Sequence, residues 1–168
     1  MANAVSLLKK DHETVGKLFK EVEQAEHGSS AHKKKAEIFG QIKMALEIHA
    51  TIEEEIFYPA VKQARSEQVK DEVREAYEEH KQIKSLLAQL AGTAPSDETY
   101  DMKLKVLKED VEHHVKEEEG EMFPDAKKYL GEKRLEALGE QLEARKQELA
   151  KGKGAAKPDS ARASAASK

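Results

Sequence analysis

Apolar residues recur at three- and four-residue intervals along most of the chain, the spacing of one helical face. Val5, Leu8, Val15, Phe19 and Val22 draw the first stripe, with His12 in its middle. They predict a helix from an N-cap at Asn3 or Ser6 to about Glu26, ended by the HGSS segment at 27–30. A second stripe runs through Ile38, Ile42, Leu46, His49, Ile52, Glu53 and Ile56. A third helix is expected from about Ser66 to Leu90, closed by Gly92 with Pro95 beyond it. A fourth, starting near Ser96, carries Leu104, Leu107, Val111, His114 and Glu118 on its inner side. Pro59 and Pro124 lack the N–H that continues a helix, so each should kink or end its own.

A shorter amphipathic helix is predicted from about Glu132 to Leu149, with Leu135, Leu138, Leu142 and Leu149 as its apolar face. The rest, KGKGAAKPDSARASAASK, offers no aromatic or large aliphatic side chain to offset the entropy of ordering, and reads as a flexible tail. No strand pattern is visible, so the fold class is all-α. The organisation expected is a helical bundle over 1–130, an additional helix packed on it over 131–150, and a tail over 151–168.

Two polar segments repeat inside this pattern. His49 to Pro59, HATIEEEIFYP, matches His114 to Pro124, HVKEEEGEMFP, with His, Glu and Pro at identical spacings. Upstream, DHETVGKLFKEV from Asp11 aligns with EHKQIKSLLAQL from Glu79, which pairs His12 with His80. The chain therefore reads as two copies of one unit: a helix bearing a lone His, then a helix bearing His-x3-Glu. Residues four apart share a helix face, about 6 Å between Cβ atoms. Both units turn that face inward.

Composition narrows the chemistry. With no cysteine, disulfides, thiolate nucleophiles and iron–sulfur clusters are excluded, and any metal must sit on nitrogen and oxygen. Charged residues make up 37% and hydrophobic residues 38%, which suits amphipathic helices; the net charge of −4 gives nucleic acid no long-range attraction. No apolar run reaches a membrane span and MANAVSLLKKDH lacks the marks of a signal peptide, so the expectation is a soluble cytoplasmic protein without membrane or nucleic-acid partners.

Two carboxylates facing each other in a core repel and are costly to desolvate, so a cation is expected between them. His12, His49, Glu53, His80, His114 and Glu118 are the candidate metal ligands. Imidazole with carboxylate suits iron, zinc, manganese or copper. One structural zinc takes four ligands, whereas six donors in two equal halves fit a dinuclear centre, His12 and His49 on one ion, His80 and His114 on the other. His113 with Glu117 offers a competing register, set aside because His114 stands ten residues before Pro124 as His49 does before Pro59. Glu54, Glu117, Glu119 and Glu121 are read as mostly a solvated acidic face, with Glu54 or Glu117 able to support a ligand from behind. His27 and His32 are expected in or beside a loop, in solvent.

Across roughly residues 5–130 this order of lone His, His-x3-Glu, lone His, His-x3-Glu resembles the hemerythrin-like, or HHE cation-binding, family. The resemblance implies an up-and-down four-helix bundle around two iron ions with an oxo or hydroxo bridge, held by the six residues above. Oxygen-carrying members have a further His one turn before the lone His of the third helix, where this chain has Ala76. Tyr77, Glu79 or water could take its place. Three functions follow as expectations. The first is a protein binding or sensing O2, NO or peroxide in a pocket of Val15, Phe19, Ile52, Phe57, Ile83 and Val111. The second is a metal-centred redox enzyme decomposing hydrogen peroxide or NO-derived species. The third is an iron-responsive interaction module.

Overall fold

The computed structural model describes residues 2–25 and 29–155, and every regular element in that range is helical. In chain order these are α1 (Ala4–Glu23), α2 (Ser29–Ile52), a π-helical turn (Glu53–Phe57), α3 (Tyr58–Lys62), α4 (Glu67–Ala91), α5 (Tyr100–Glu117), a second π-helical turn (Glu118–Met122), α6 (Phe123–Leu130) and α7 (Glu132–Ala155). The arrangement is an up-and-down four-helix bundle, α1 packing along α2 and α4 along α5, with α7 laid against α1 and α2. No described helix is long and apolar enough to cross a membrane.

Local chemistry sets the ends. The Asn3 side chain accepts the Ser6 N–H at 3.0 Å, and Ser66 caps α4 by accepting from Val69. The first helix stops at Glu23, short of Glu26. The fourth starts at Tyr100 rather than near Ser96, because residues 94–100 form tight turns in which Asp97 accepts the Thr99 N–H at 2.8 Å. The last helix continues past 150 to Ala155; the tail residues 156–168 and His27 lie outside the described residues. His32 is inside α2 and half-buried, not in a loop, because α2 already begins at Ser29.

The prolines end neither helix. With no Pro59 N–H to offer, the chain inserts a wider turn in which the Tyr58 N–H bonds the Glu53 carbonyl, five residues back; Phe123 and Glu118 do the same before Pro124. Each helix then resumes as α3 or α6.

The core falls into two apolar clusters. One gathers Val5, Leu8, Ile52, Phe57, Val73 and Phe123 with the leucines of α7; the other gathers Val15, Phe19, Ile42, Leu87, Leu104 and Leu107. His12, His49 and His80 each lie between a residue of one cluster and a residue of the other, and His114 follows Val111 of the second with Met122 of the first beyond it, so the polar layer divides the core.

Two glycines hold α7. Gly131, at φ 75°, takes the left-handed turn between α6 and α7. At Gly139 a Cβ would stand 2.7 Å from the Ala2 carbonyl oxygen and 2.9 Å from the Asn3 carbonyl carbon, so α7 crosses the start of α1 at backbone contact. Gly139→Ala is therefore expected to force the two apart and to cost about 1–3 kcal/mol in urea unfolding. Unchanged stability would show that the crossing tolerates a methyl group.

Candidate metal centre

The inward stripes of the four bundle helices bring the six singled-out side chains into one layer. His12 Nε2 lies 3.2 Å from His49 Nε2, and His80 Nε2 lies 3.2 Å from His114 Nε2. The carboxylates tie these pairs together. Glu53 reaches His49 Nε2 at 2.7 Å with one oxygen and His80 Nε2 at 3.0 Å with the other. Glu118 Oε2 faces His12 Nε2 at 3.2 Å and His114 Nε2 at 3.4 Å. Each Glu thus spans one His of each pair. His49, His80, His114 and both Glu are buried, and the His12 side chain is only 6% exposed.

Each far nitrogen faces a carboxylate as well, at equivalent positions in the two halves, and three of the four are within hydrogen-bond distance. His49 Nδ1 is 3.1 Å from Asp11 and His114 Nδ1 is 2.8 Å from Glu79. His12 Nδ1 is 3.3 Å from Glu119 and His80 Nδ1 faces Glu54 at 3.8 Å. Such carboxylates fix ring orientation and raise the basicity of the nitrogen that faces inward. Lys146 of α7 in turn holds the second oxygen of Asp11, and Lys84 holds Glu54.

The π-helical turns place one further pair. Five residues beyond each Glu come Tyr58 and Phe123, equivalent positions of the repeat. Phe123 stacks on His12, ring centres 5.8 Å apart. The Tyr58 hydroxyl lies 2.9 Å from Glu53 Oε2, 2.8 Å from Glu118 Oε1 and 3.1 Å from His80 Nε2. With a single proton it donates to one carboxylate at a time. The halves therefore differ, a phenol on the His80 side and a bare ring on the His12 side.

Above the imidazoles lies an apolar cavity of about 30 Å³, enough for a molecule the size of water or a diatomic gas. Val15, Ile83 and Val111 line it as expected; Leu46, Leu87 and Val115 add to the apolar wall, and Asp11, Glu47 and Lys84 also border it. Phe19, Ile52 and Phe57 belong instead to the apolar clusters on either side.

Comparison with known proteins adds that the family model described as the hemerythrin HHE cation-binding domain matches residues 3–126. The chain belongs to the hemerythrin HHE family. This hemerythrin-like chain is 28% identical over 148 residues to an uncharacterized protein of Mycobacterium tuberculosis, covering 88% of this chain and 87% of that one. A crystal structure of an HHE cation-binding domain-containing protein from Mycobacterium kansasii superposes with a TM-score of 0.78 at 27% identity, over 90% of each chain. A DNA nickase of Nostoc sp. is 31% identical over 147 residues, which are 88% of this chain but 40% of the nickase; the chain spans less than half of that relative.

Electrostatics agree with cation binding. Among the described residues, buried Glu53 Oε1, Glu118 Oε2 and His80 Nδ1 make no properly directed hydrogen bond, although imidazoles or carboxylates stand close. Burial disfavours charge on His49, yet Glu53 and Asp11 outweigh it and push its pKa up to about 10. Glu53 and Glu54 likewise overcome burial to push His80 up to about 9, and His114 is raised through Glu79 and Glu118. Glu53, despite burial, is held well below the usual carboxylate range by His49 and His80. Burial, then the two carboxylates, keep the Tyr58 phenol protonated far above its ordinary range. The buried donors fall into two overlapping groups that could hold a metal ion, His12, His49, Glu53 and Glu118 in one and Glu53, His80 and His114 in the other.

Several residues stand differently from the sequence reading. Glu119 meets His12 rather than solvent alone. Tyr77 and Glu79 do not substitute for the absent His: the Tyr77 hydroxyl donates to the Glu54 carbonyl at 3.3 Å and Glu79 holds His114, while the phenol that reaches the centre is Tyr58. The acidic residue before each lone His, Asp11 and Glu79, was the available signal for the outer partners.

The raised imidazole pKa values fix a sign. A cation must displace protons that the folded protein holds below those values, so the apparent affinity for Co(II) should climb between about pH 6 and pH 9 with protons released into weak buffer. Calorimetry in buffers of different ionisation enthalpy measures that release. Binding without proton loss near neutrality would contradict the assignment of these imidazoles.

Proposed function

We propose that this hemerythrin-like protein binds or senses a small ligand, O2, NO or peroxide, at a dinuclear iron centre. His12 and His49 would hold one iron and His80 and His114 the other, with Glu53 and Glu118 bridging and an oxo or hydroxo group between the ions. Iron so held supplies Lewis acidity and electrons to a bound ligand. The observation that carries the reading is the apolar cavity directly against the four imidazoles, sized for a small molecule and walled by Val15, Ile83, Leu87 and Val111.

A second reading, a metal-centred redox enzyme acting on peroxide or NO-derived species, is favoured by Tyr58. Its hydroxyl offers a proton or a further oxygen donor on the His80 side alone, within reach of both Glu53 and Glu118. Strand nicking is named for the Nostoc relative, of which this chain matches only 40%, and the burial of the centre favours a small ligand over a polynucleotide.

Elemental analysis joined to optical spectra tests both readings. Iron near two per chain, with near-ultraviolet charge-transfer bands that respond reversibly to O2 or NO, supports the first. Sustained peroxide turnover above that of free iron supports the second. One zinc per chain would overturn the dinuclear proposal. Tyr58→Phe, which makes the halves alike, is expected to keep both metals and to change ligand affinity or turnover by about tenfold, the worth of one hydrogen bond to a charged group. An unaltered response would remove the phenol from the chemistry.

A further inference from the structure

The second half of the repeat contains a His-x3-Glu pair that the inner centre leaves unused. His113 and Glu117 precede His114 and Glu118 by one position, and so turn to the outer side of α5. There His113 Nε2 lies 3.0 Å from Glu117 Oε1 and 3.5 Å from Glu79 Oε2, which projects from α4. The donor atoms of all three residues fall within 4.8 Å of one another. Carboxylates from two different helices thus converge on one imidazole, an arrangement that can surround a single cation.

The pseudo-two-fold repeat supplies an independent argument. Glu79 is the counterpart of Asp11: each places one oxygen on the Nδ1 of an inner His, His114 at 2.8 Å and His49 at 3.1 Å. The second oxygen of Asp11 carries a fixed cation, the Lys146 ammonium. The second oxygen of Glu79 faces His113 instead, and among the described residues neither Glu79 nor Glu117 has a Lys or Arg partner. In the first half, the positions equivalent to His113 and Glu117 are Ile48 and Ile52, which offer no donor. One half thus has an ammonium where the other has three metal-type donors.

We propose that Glu79, His113 and Glu117 form an outer site for a first-row divalent cation. One nitrogen and carboxylate oxygens, with water completing the shell, suit Fe(II), Mn(II), Co(II) or Zn(II). The His113 side chain is 60% exposed, so this site exchanges its ion with solvent more readily than the buried layer does. It is also placed to load the inner centre, a role that rests on the dinuclear reading above. Glu79 belongs to both sites, and a small cavity beside Ala76 joins Glu117 to His114 and Glu118. The acidic residues Glu72, Glu75 and Glu121 border that cavity and favour cations along it.

The test titrates metal-free full-length protein with Co(II), followed by calorimetry and visible absorption, for wild type, His113→Gln and Glu117→Gln. Wild type should take up two ions tightly and a third weakly. Each variant should lose the weak event, keep the tight pair and its wild-type melting profile, and fill the inner pair roughly tenfold more slowly. A weak event that survives in both variants, or wild type saturating at two ions, overturns the outer site. Loss of the weak event with unchanged filling kinetics overturns the loading role and leaves the site standing. Weak uptake without any tight binding would sink the dinuclear reading while sustaining this one.

Discussion

The architecture depends on holding two carboxylates, Glu53 and Glu118, in a layer where neither can reach bulk water. Desolvating one unpaired carboxylate already costs several kcal/mol, and two in the same layer repel. The bundle answers with four imidazoles whose Nε2 atoms converge on those oxygens, and behind them Asp11, Glu79, Glu119 and Glu54 that steady the rings from outside. Charge thus alternates outward from the centre. The apolar clusters on either side can close only if this layer is neutralised, so the metal chemistry and the stability of the core meet at the same atoms.

Much of this was legible in the sequence because both parts of the signal are periodic. The helical spacing of Leu46, His49 and Glu53, and of Val111, His114 and Glu118, turns the polar residues to the apolar side, and the repeated distance to proline selects His114 over His113. What escaped reading depends on the places where the period breaks. In a regular α-helix a residue five beyond Glu53 points about 140° away from it. The π-helical turn brings Tyr58 round beside the carboxylates, and its proline was visible as a helix breaker without showing that the chain would widen rather than stop. The cavity wall was misjudged for a related reason: Phe19, Ile52 and Phe57 are apolar and near in sequence, but which cluster each joins is decided by helix packing.

The repeat makes the two halves nearly equivalent, and the departures from it are where specificity resides. Tyr58 against Phe123 gives one pair of imidazoles a hydroxyl and the other a hydrocarbon face. Lys146 against His113 gives one outer carboxylate an ammonium partner and the other an imidazole. Both substitutions fall outside the six-residue set and leave its geometry intact, so the inner layer is shared while its surroundings set how each side responds.

The contact of Lys146 with Asp11 makes α7 more than a cover. Asp11 also orients His49, so whatever strengthens the hold of that imidazole on an ion must strengthen the seating of α7 to the same degree, by thermodynamic reciprocity. A partner able to grip or lift the C-terminal helix would thereby read, and adjust, the occupancy of a layer it never touches.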